Sequence, residues 1–305
     1  MKKLITSKII KASVKTLLIF MILFGCNNDE VGGVTQAPDP PSTSTFSTWM
    51  WNTITIPPYT YPDGTEFGNG LYTNSTFDPM GVSIVGDLMR FKLNPFDPVP
   101  SPSFNSPHNY RSEIHTTPWQ INHPLGTEQW IGWRYYFSDD YVIDTTSPIT
   151  IFQNHPGIGG LSPIIELEIA AFDDPSPAQG GEIQVVNVND RIVYPVQPVA
   201  GDTLDVVIHL VYGLGNEGMT QVWLNGVLYH DKIEQTVYTD YPWGGNNKWG
   251  IYHHTFKNSP QDVQDSKDAG AAYVELFMGP LRLLTRTPSD PEYKMNAYDL
   301  VKPGQ

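Results

Sequence analysis

The chain has a single cysteine, Cys26, in 305 residues. No disulfide can form within it, so the fold has to stand on its apolar core. Basic residues are scarce: 18 Lys and Arg stand against 32 Asp and Glu, a formal charge of −14. That balance argues against nucleic acid, and against an anionic membrane face, as partners. Sustained apolar repeats at 3.6 residues are missing too, which excludes a helical bundle or coiled coil. The apolar run Leu17 to Phe24 is too short to span a bilayer as a helix. What the chain has in quantity is Gly (26), Pro (27) and Tyr (16), with short Val-, Ile- and Trp-rich runs between the turn residues.

The N-terminus reads as a targeting segment. Lys2, Lys3, Lys8, Lys11 and Lys15, with no acid among them, precede the apolar run, which has the length of a signal-peptide core. Leu23-Phe24-Gly25-Cys26 resembles a lipobox, with Phe24 bulkier than the residue usual there. Residues 1–25 are therefore expected to be a lipoprotein signal peptide and Cys26 the lipidated mature N-terminus. Their removal takes away five lysines and no acid, moving the charge from −14 to −19. Residues 26–47, rich in Gly, Pro, Ser and Thr, read as a flexible tether, and 48–305 as one domain. Asn27-Asn28-Asp29-Glu30 resembles the surface-export signal of Bacteroidetes lipoproteins. The expected location is the outer membrane, lipid-anchored and facing outward, with the protein a monomer.

Within the domain, strand-like runs recur at Gln129 to Phe137, Thr150 to Phe152, Ile164 to Ala170, Glu182 to Val188, Leu204 to Val211, Gln221 to His230 and Tyr273 to Leu284. Asn225-Gly226 sits between alternating residues, the strongest short signal for a hairpin, because both turn positions need positive φ. Many short antiparallel strands in about 255 residues predict an all-β domain, a two-sheet jelly roll.

Three strand-like segments carry an unusual polar face. Alternation puts Arg111, Glu113 and His115 together, then Gln153 and His155, then Lys248, Tyr252 and His254 across Gly250. Each alone fits a solvated strand face; paired in one sheet, they make a cationic floor able to move protons. Here the chain resembles the jelly-roll polysaccharide lyases, which include alginate lyases, glucuronan lyases and heparin lyase I. The alginate-lyase pattern is Arg-Ser/Thr-Glu-Leu/Val-Arg, then Gln-Ile/Val-His, then Tyr-Phe-Lys-Ala-Gly-x-Tyr-Asn-Gln. This chain has Arg111-Ser112-Glu113-Ile114-His115, then Gln153-Asn154-His155, then Lys248-Trp249-Gly250-Ile251-Tyr252-His253-His254. Trp223-Leu224-Asn225-Gly226 is similar to a hairpin common near heparin lyase I. His115 replaces a second arginine, His254 a glutamine, and Asn154 an aliphatic residue, departures that bear on sugar specificity.

The resemblance implies β-elimination at an anionic, uronate-containing polysaccharide such as ulvan, glucuronan or alginate. Arg111, Gln153 and His155 would meet the uronate carboxylate, and Tyr252 would act as catalytic base and acid, with His155 the alternative base. Neutralising the carboxylate is what makes the adjacent C5 proton removable. A free tyrosine titrates near 10, so a tyrosine base needs cations beside it. Glu113 is expected to orient Arg111, while His115, Lys248, His254 and Trp243 are expected in substrate binding. A non-catalytic glycan-binding lipoprotein on the same jelly roll is the alternative. Glu166 and Glu168 offer a weaker reading as a glycosidase pair. No cofactor is expected: Asp262, Asp265 and Asp268, in an expected loop, are a candidate structural calcium site weighed against a solvated acidic loop. His108, His123, His209 and His230 lack partners at metal-ligand spacing.

Cys26→Ala should leave an unlipidated, mislocalised protein with unchanged activity once purified, because the tether separates the domain from its lipid. Fractionation and assay of the soluble domain from Ser47 onward check this, and loss of activity in that domain would contradict it.

Overall fold

The computed structural model describes residues 44–51, 66–67, 71–75, 81–93, 110–116, 120–175, 177–256, 259–271 and 274–304. Cys26, the signal segment and His108 lie outside the described residues. Numbered in chain order, the strands run from β1 to β17, and every pairing among them is antiparallel. One sheet has the order β14 (Val227–Ile233), β13 (Met219–Leu224), β12 (Thr203–Val211), β7 (Glu128–Phe137), β16 (Val274–Met278), β5 (Leu88–Leu93), β4 (Val82–Val85). β17 (Leu281–Arg286) continues beside β7 and carries β1 (Thr45–Trp49) at its own edge. The second sheet has the order β11 (Arg191–Val193), β10 (Ile183–Asn187), β9 (Ile165–Ile169), β8 (Ile149–His155), β15 (Asn246–Tyr252), β6 (Arg111–Thr116), β3 (Leu71–Ser75), β2 (Glu66–Phe67). This is the expected jelly-roll sandwich.

Alternation explains how these sequences make sheets. Met89, Phe91 and Leu93 of β5 turn into the core, as do Ile165, Leu167 and Ile169 of β9 and Trp249 and Ile251 of β15. The two sheets meet through aromatic rings: Trp133 of β7 packs 5.1 Å from Phe152 and 6.3 Å from Trp249. Full burial of such side chains contributes on the order of 1.5–3 kcal/mol each. β7 is buried on both faces, because Trp130 and Leu284 on its outer side are covered by Ala297 and Val301 near the C-terminus. The Asn225-Gly226 turn has φ of 49° and 81°, as the hairpin signal requires.

Three expectations about extent change. The run from Tyr273 to Leu284 is two strands, split at Gly279-Pro280 because proline cannot donate to a ladder; the Gly279 carbonyl accepts instead from the indole of Trp51 at 2.7 Å. Paired sheet begins at Thr45, opposite Thr285, inside the segment read as tether. Asp262, Asp265 and Asp268 lie on a helix, α1 (Pro260–Asp268), not in a loop. Ser259 caps it by accepting from the Asp262 amide at 3.1 Å, with proline in the first turn. Among the described residues no group of three or more His, Cys, Asp or Glu is arranged to hold a metal, so the calcium reading finds no support there.

The strands that matter most for function, β8 and β15, both break register. Pairing shifts between Thr150 and Phe152 on β8 and between Trp249 and Tyr252 on β15. Gly250 sits at the β15 irregularity with φ of 133°. Its amide donates to the Tyr135 hydroxyl of the opposite sheet at 3.2 Å, and that hydroxyl donates to the Ile151 carbonyl. A Cβ at Gly250 would stand 2.2 Å from the Ser112 carbonyl oxygen and 2.8 Å from the Glu113 Cα. Gly250→Ala should therefore destabilise the domain by about 3 kcal/mol. In thermal unfolding followed by circular dichroism this means a Tm lower by roughly 6–12 °C, and an unchanged Tm would contradict the account.

Candidate active site

The register of the second sheet lines its polar side chains up in rows across four strands. His115 of β6, Lys248 of β15, Gln153 of β8 and Glu166 of β9 are successive cross-strand partners. Arg111, Tyr252, Thr150 and Glu168 form a second such row. Glu113 stands between the rows, opposite Gly250, and His155 pairs with Asn246 beyond the first. All these side chains are on the face turned away from the core, since their strand neighbours Ile114, Phe152, Leu167, Trp249 and Ile251 fill it. The β8 bulge turns Ile151 and Phe152 both inward, which leaves Thr150 on the polar face.

Contacts knit this face into a floor. The Glu113 carboxylate accepts from Gln153 Nε2 at 2.7 Å and pairs with Arg111 Nη1 at 3.2 Å. The Arg111 guanidinium also lies 4.1 Å from the centre of the Tyr252 ring, a cation–π contact. The Tyr252 ring in turn meets His254 edge-on at 6.0 Å. Glu168 binds the far side: it accepts from Gln184 Nε2 at 2.7 Å and has Arg191 and His254 each at 3.8 Å. The Thr150 hydroxyl lies 3.1 Å from Glu166 and 3.2 Å from Glu168, with one proton to share between them.

Burial sets the charges here. Lys248 is only 1% exposed, and desolvation pulls its pKa down to about 7; Arg111 adds to this, and Glu113 and Glu166 oppose it. Desolvation, with Lys248 and Arg111 behind it, lowers His155 to about 3, and burial likewise lowers His115 to about 4. Glu166 is pushed up to about 8 by burial and then by Glu168. Near neutrality the floor therefore holds, beside the Arg111 guanidinium, a titrating Lys248, neutral imidazoles at His115 and His155, and a largely protonated Glu166.

The hydrogen bonds fix the tautomers of both neutral imidazoles. His155 Nδ1 accepts from the Gly157 amide at 2.9 Å, so its proton is on Nε2, which is then a donor. His115 Nδ1 faces the Thr116 carbonyl at 3.0 Å and must carry the proton itself.

The structure thus brings Arg111, Glu113, His115, Gln153, His155, Lys248, Tyr252 and His254 to one face. Trp243 is half-buried on the connection before β15. The glycines after it thread a narrow gap: a Cβ at Gly245 would lie 1.9 Å from the His155 carbonyl oxygen, and one at Gly244 2.4 Å from the Tyr212 ring. Glu166, Glu168, Thr150 and Gln184 are the residues that join the floor beyond those expected; the signal was the outward Glu-Leu-Glu alternation of β9.

A profile of the polysaccharide lyase family matches residues 82–273, which takes in β4 through the strand carrying Tyr252. The chain belongs to this family. Solved structures resembling this lyase include an endo-β-1,4-glucuronan lyase from the fungus Trichoderma reesei, with 15% identity, 86% of this chain and 98% of that one covered, and a TM-score of 0.49. Alginate lyase Aly36B shows 14% identity over 80% of this chain and 97% of its own, with a TM-score of 0.47. Alginate lyase A1-II′ shows 13% identity over 72% and 85%, with a TM-score of 0.45. Sequence comparison with curated proteins gives no match.

The depressed histidines also set a pH dependence of stability. For His115, His123, His155 and His253, lowered to about 4, 4, 3 and 4 by burial, the unfolded chain binds more protons than the folded one below about pH 6.5. Stability from these groups is present above the unfolded pKa and is lost as pH falls towards the folded values. Glu166, raised, opposes this between the usual carboxylate range and about 8, one group against four. The lyase should have a lower Tm at pH 5 than at pH 7, and calorimetry showing the reverse would overturn this balance.

Proposed function

We propose that this lyase cleaves an anionic, uronate-containing polysaccharide by β-elimination, with Tyr252 as the proton-transferring group. The observation that carries the reading is the register: Tyr252 of β15 is the cross-strand partner of Arg111 on β6, and four residues back along β15 Lys248 is the partner of Gln153 on β8. A uronate carboxylate set over this face meets Arg111 and the donors of Gln153 and His155. With its charge neutralised, the C5 proton can leave to the Tyr252 oxygen as electrons form the C4–C5 double bond. The C4–O4 bond breaks, and the departing O4 takes its proton from the Tyr252 hydroxyl, which returns to its starting state.

Between the two candidate bases, the His155 tautomer favours tyrosine. An imidazole whose Nδ1 lone pair is engaged by the Gly157 amide carries its proton at Nε2 and has no lone pair there to accept another. That suits the carboxylate-binding role and leaves the base role to Tyr252, beside the Arg111 cation. Glu113 holds Arg111 and Gln153 in place from below. Ulvan, glucuronan and alginate are the ordered candidates for the polymer. His115 and His254, where alginate lyases carry arginine and glutamine, turn the preference away from alginate. Export and anchoring through Cys26 belong to the same proposal, placing the enzyme where polymers are met.

A panel of uronate polymers, followed by the ultraviolet absorbance of the unsaturated product, tests the reaction. Tyr252→Phe removes one hydroxyl and should lower turnover by roughly a hundredfold to ten-thousandfold with KM nearly constant. Arg111→Ala should weaken turnover and binding together, since its cation meets the carboxylate already in the ground state. Near-normal turnover by Tyr252→Phe would move the base role to His155, and by both Tyr252→Phe and His155→Ala would remove the elimination reading.

A further inference from the structure

Asn154 stands between Gln153 and His155, and Asn247 stands next to Lys248, so both asparagines point into the sandwich beneath the floor. Both are essentially inaccessible and are cross-strand partners of one another. Asn154 Nδ2 donates to Asn247 Oδ1 at 2.8 Å and to the Tyr212 hydroxyl at 2.8 Å, with the Gly245 carbonyl at 3.2 Å. The Tyr212 hydroxyl donates to Gln129 Oε1 at 2.9 Å, and that oxygen also accepts from Asn247 Nδ2 at 3.0 Å. Asn247 is held from a third strand as well, its amide donating to Thr116 Oγ1 at 3.1 Å. Gln129 belongs to β7 and Tyr212 follows β12, so this closed ring of bonds joins the opposite sheet to the two central strands of the site.

We propose that Tyr212 and Gln129 are positioning residues: through Asn154 and Asn247 they fix where Gln153, His155 and Lys248 stand on the other face. An apolar pair at these places would pack the core equally well, but it would not pin the strands to a direction. A closed network of buried hydrogen bonds among four side chains specifies a single geometry. It also resists slippage, since a one-residue shift of β15 on β8 would send Lys248 inward and bring Asn247 out. The ring is itself held on one side, with Tyr212 stacked 5.6 Å from His123 and close against Gly244. Neither residue reaches the polar face, so any influence on the reaction passes through the strands. The inference rests on the roles proposed above for Gln153 and His155.

Tyr212→Phe keeps the ring and its stacking. It leaves Asn154 Nδ2 with Asn247 and Gly245, so the domain should fold with Tm lowered by only a few degrees. Turnover should fall about tenfold to a hundredfold, the scale set by small misplacements of reacting groups, with KM within roughly twofold. Gln129→Met, of similar volume, should act alike and serves if Tyr212→Phe does not accumulate, because the Tyr212 hydroxyl can then turn to the Gly245 carbonyl at 3.3 Å. The deciding measurement is the double-mutant cycle with His155→Ala and with Gln153→Ala. Positioning predicts that Tyr212→Phe costs little more once those groups are gone. Wild-type turnover in folded Tyr212→Phe, or the same fractional loss in every background, would overturn the proposal. Wild-type turnover by both His155→Ala and Gln153→Ala would instead show the assigned roles to be wrong.

Discussion

The floor depends on one buried carboxylate. Glu113 is 2% exposed and lies among Arg111, Lys248 and Gln153, holding the first by charge at 3.2 Å and the last by a hydrogen bond at 2.7 Å. Without it, the Arg111 guanidinium would lose its ion-pair partner in a poorly solvated place beside Lys248, and removing one partner of a buried pair costs about 3–5 kcal/mol. Its cross-strand partner is Gly250, where a side chain would collide with the Ser112 carbonyl and the Glu113 Cα. Sequence alternation thus supplies the charges, and one glycine lets the two strands that carry them come close.

The opposite sheet does more than cover the core. Tyr135 reaches across it to accept from the Gly250 amide and to donate to the Ile151 carbonyl, so one phenol satisfies backbone groups at both register breaks. A bulge leaves polar backbone unpaired, and buried it would be costly. The bulges persist because Tyr135 supplies the partner, and they are what keep Thr150 and Tyr252 in one row with Arg111.

Much of this was legible because alternation is local. Arg111, Glu113 and His115 share a face in any strand, as do Gln153 and His155, and the structure adds only that their strands adjoin. Thr150 was not legible, because a bulge resets the period and no residue within β8 announces it. Glu166 and Glu168 were read as a separate pair, and only the sheet order, which puts β9 beside β8, makes them part of the same face. Asn154 was visible as a departure from an aliphatic pattern, yet its reason lies 58 positions away in Tyr212. The acids after Ser259 were misread because a capped single helix in an all-β domain competes poorly with the expectation of a loop.

A protein with a formal charge of −14 that takes a polyanion, as proposed above, has to solve its electrostatics locally. Beyond a Debye length of about 8–10 Å the surface acids are largely screened, so what counts is the charge within reach of the bound carboxylate. There burial has worked against the enzyme, stripping His115 and His155 of charge and bringing Lys248 to about 7. The same depression makes Lys248 responsive: an arriving carboxylate favours its protonated form, and by linkage the protonated form favours the carboxylate. Arg111 then provides the standing attraction and Lys248 a charge that strengthens as substrate enters. On the proposed reading, the cationic character of the floor is in part induced by the polymer it binds, which is how an acidic protein can hold an acidic chain without carrying a permanently basic cleft.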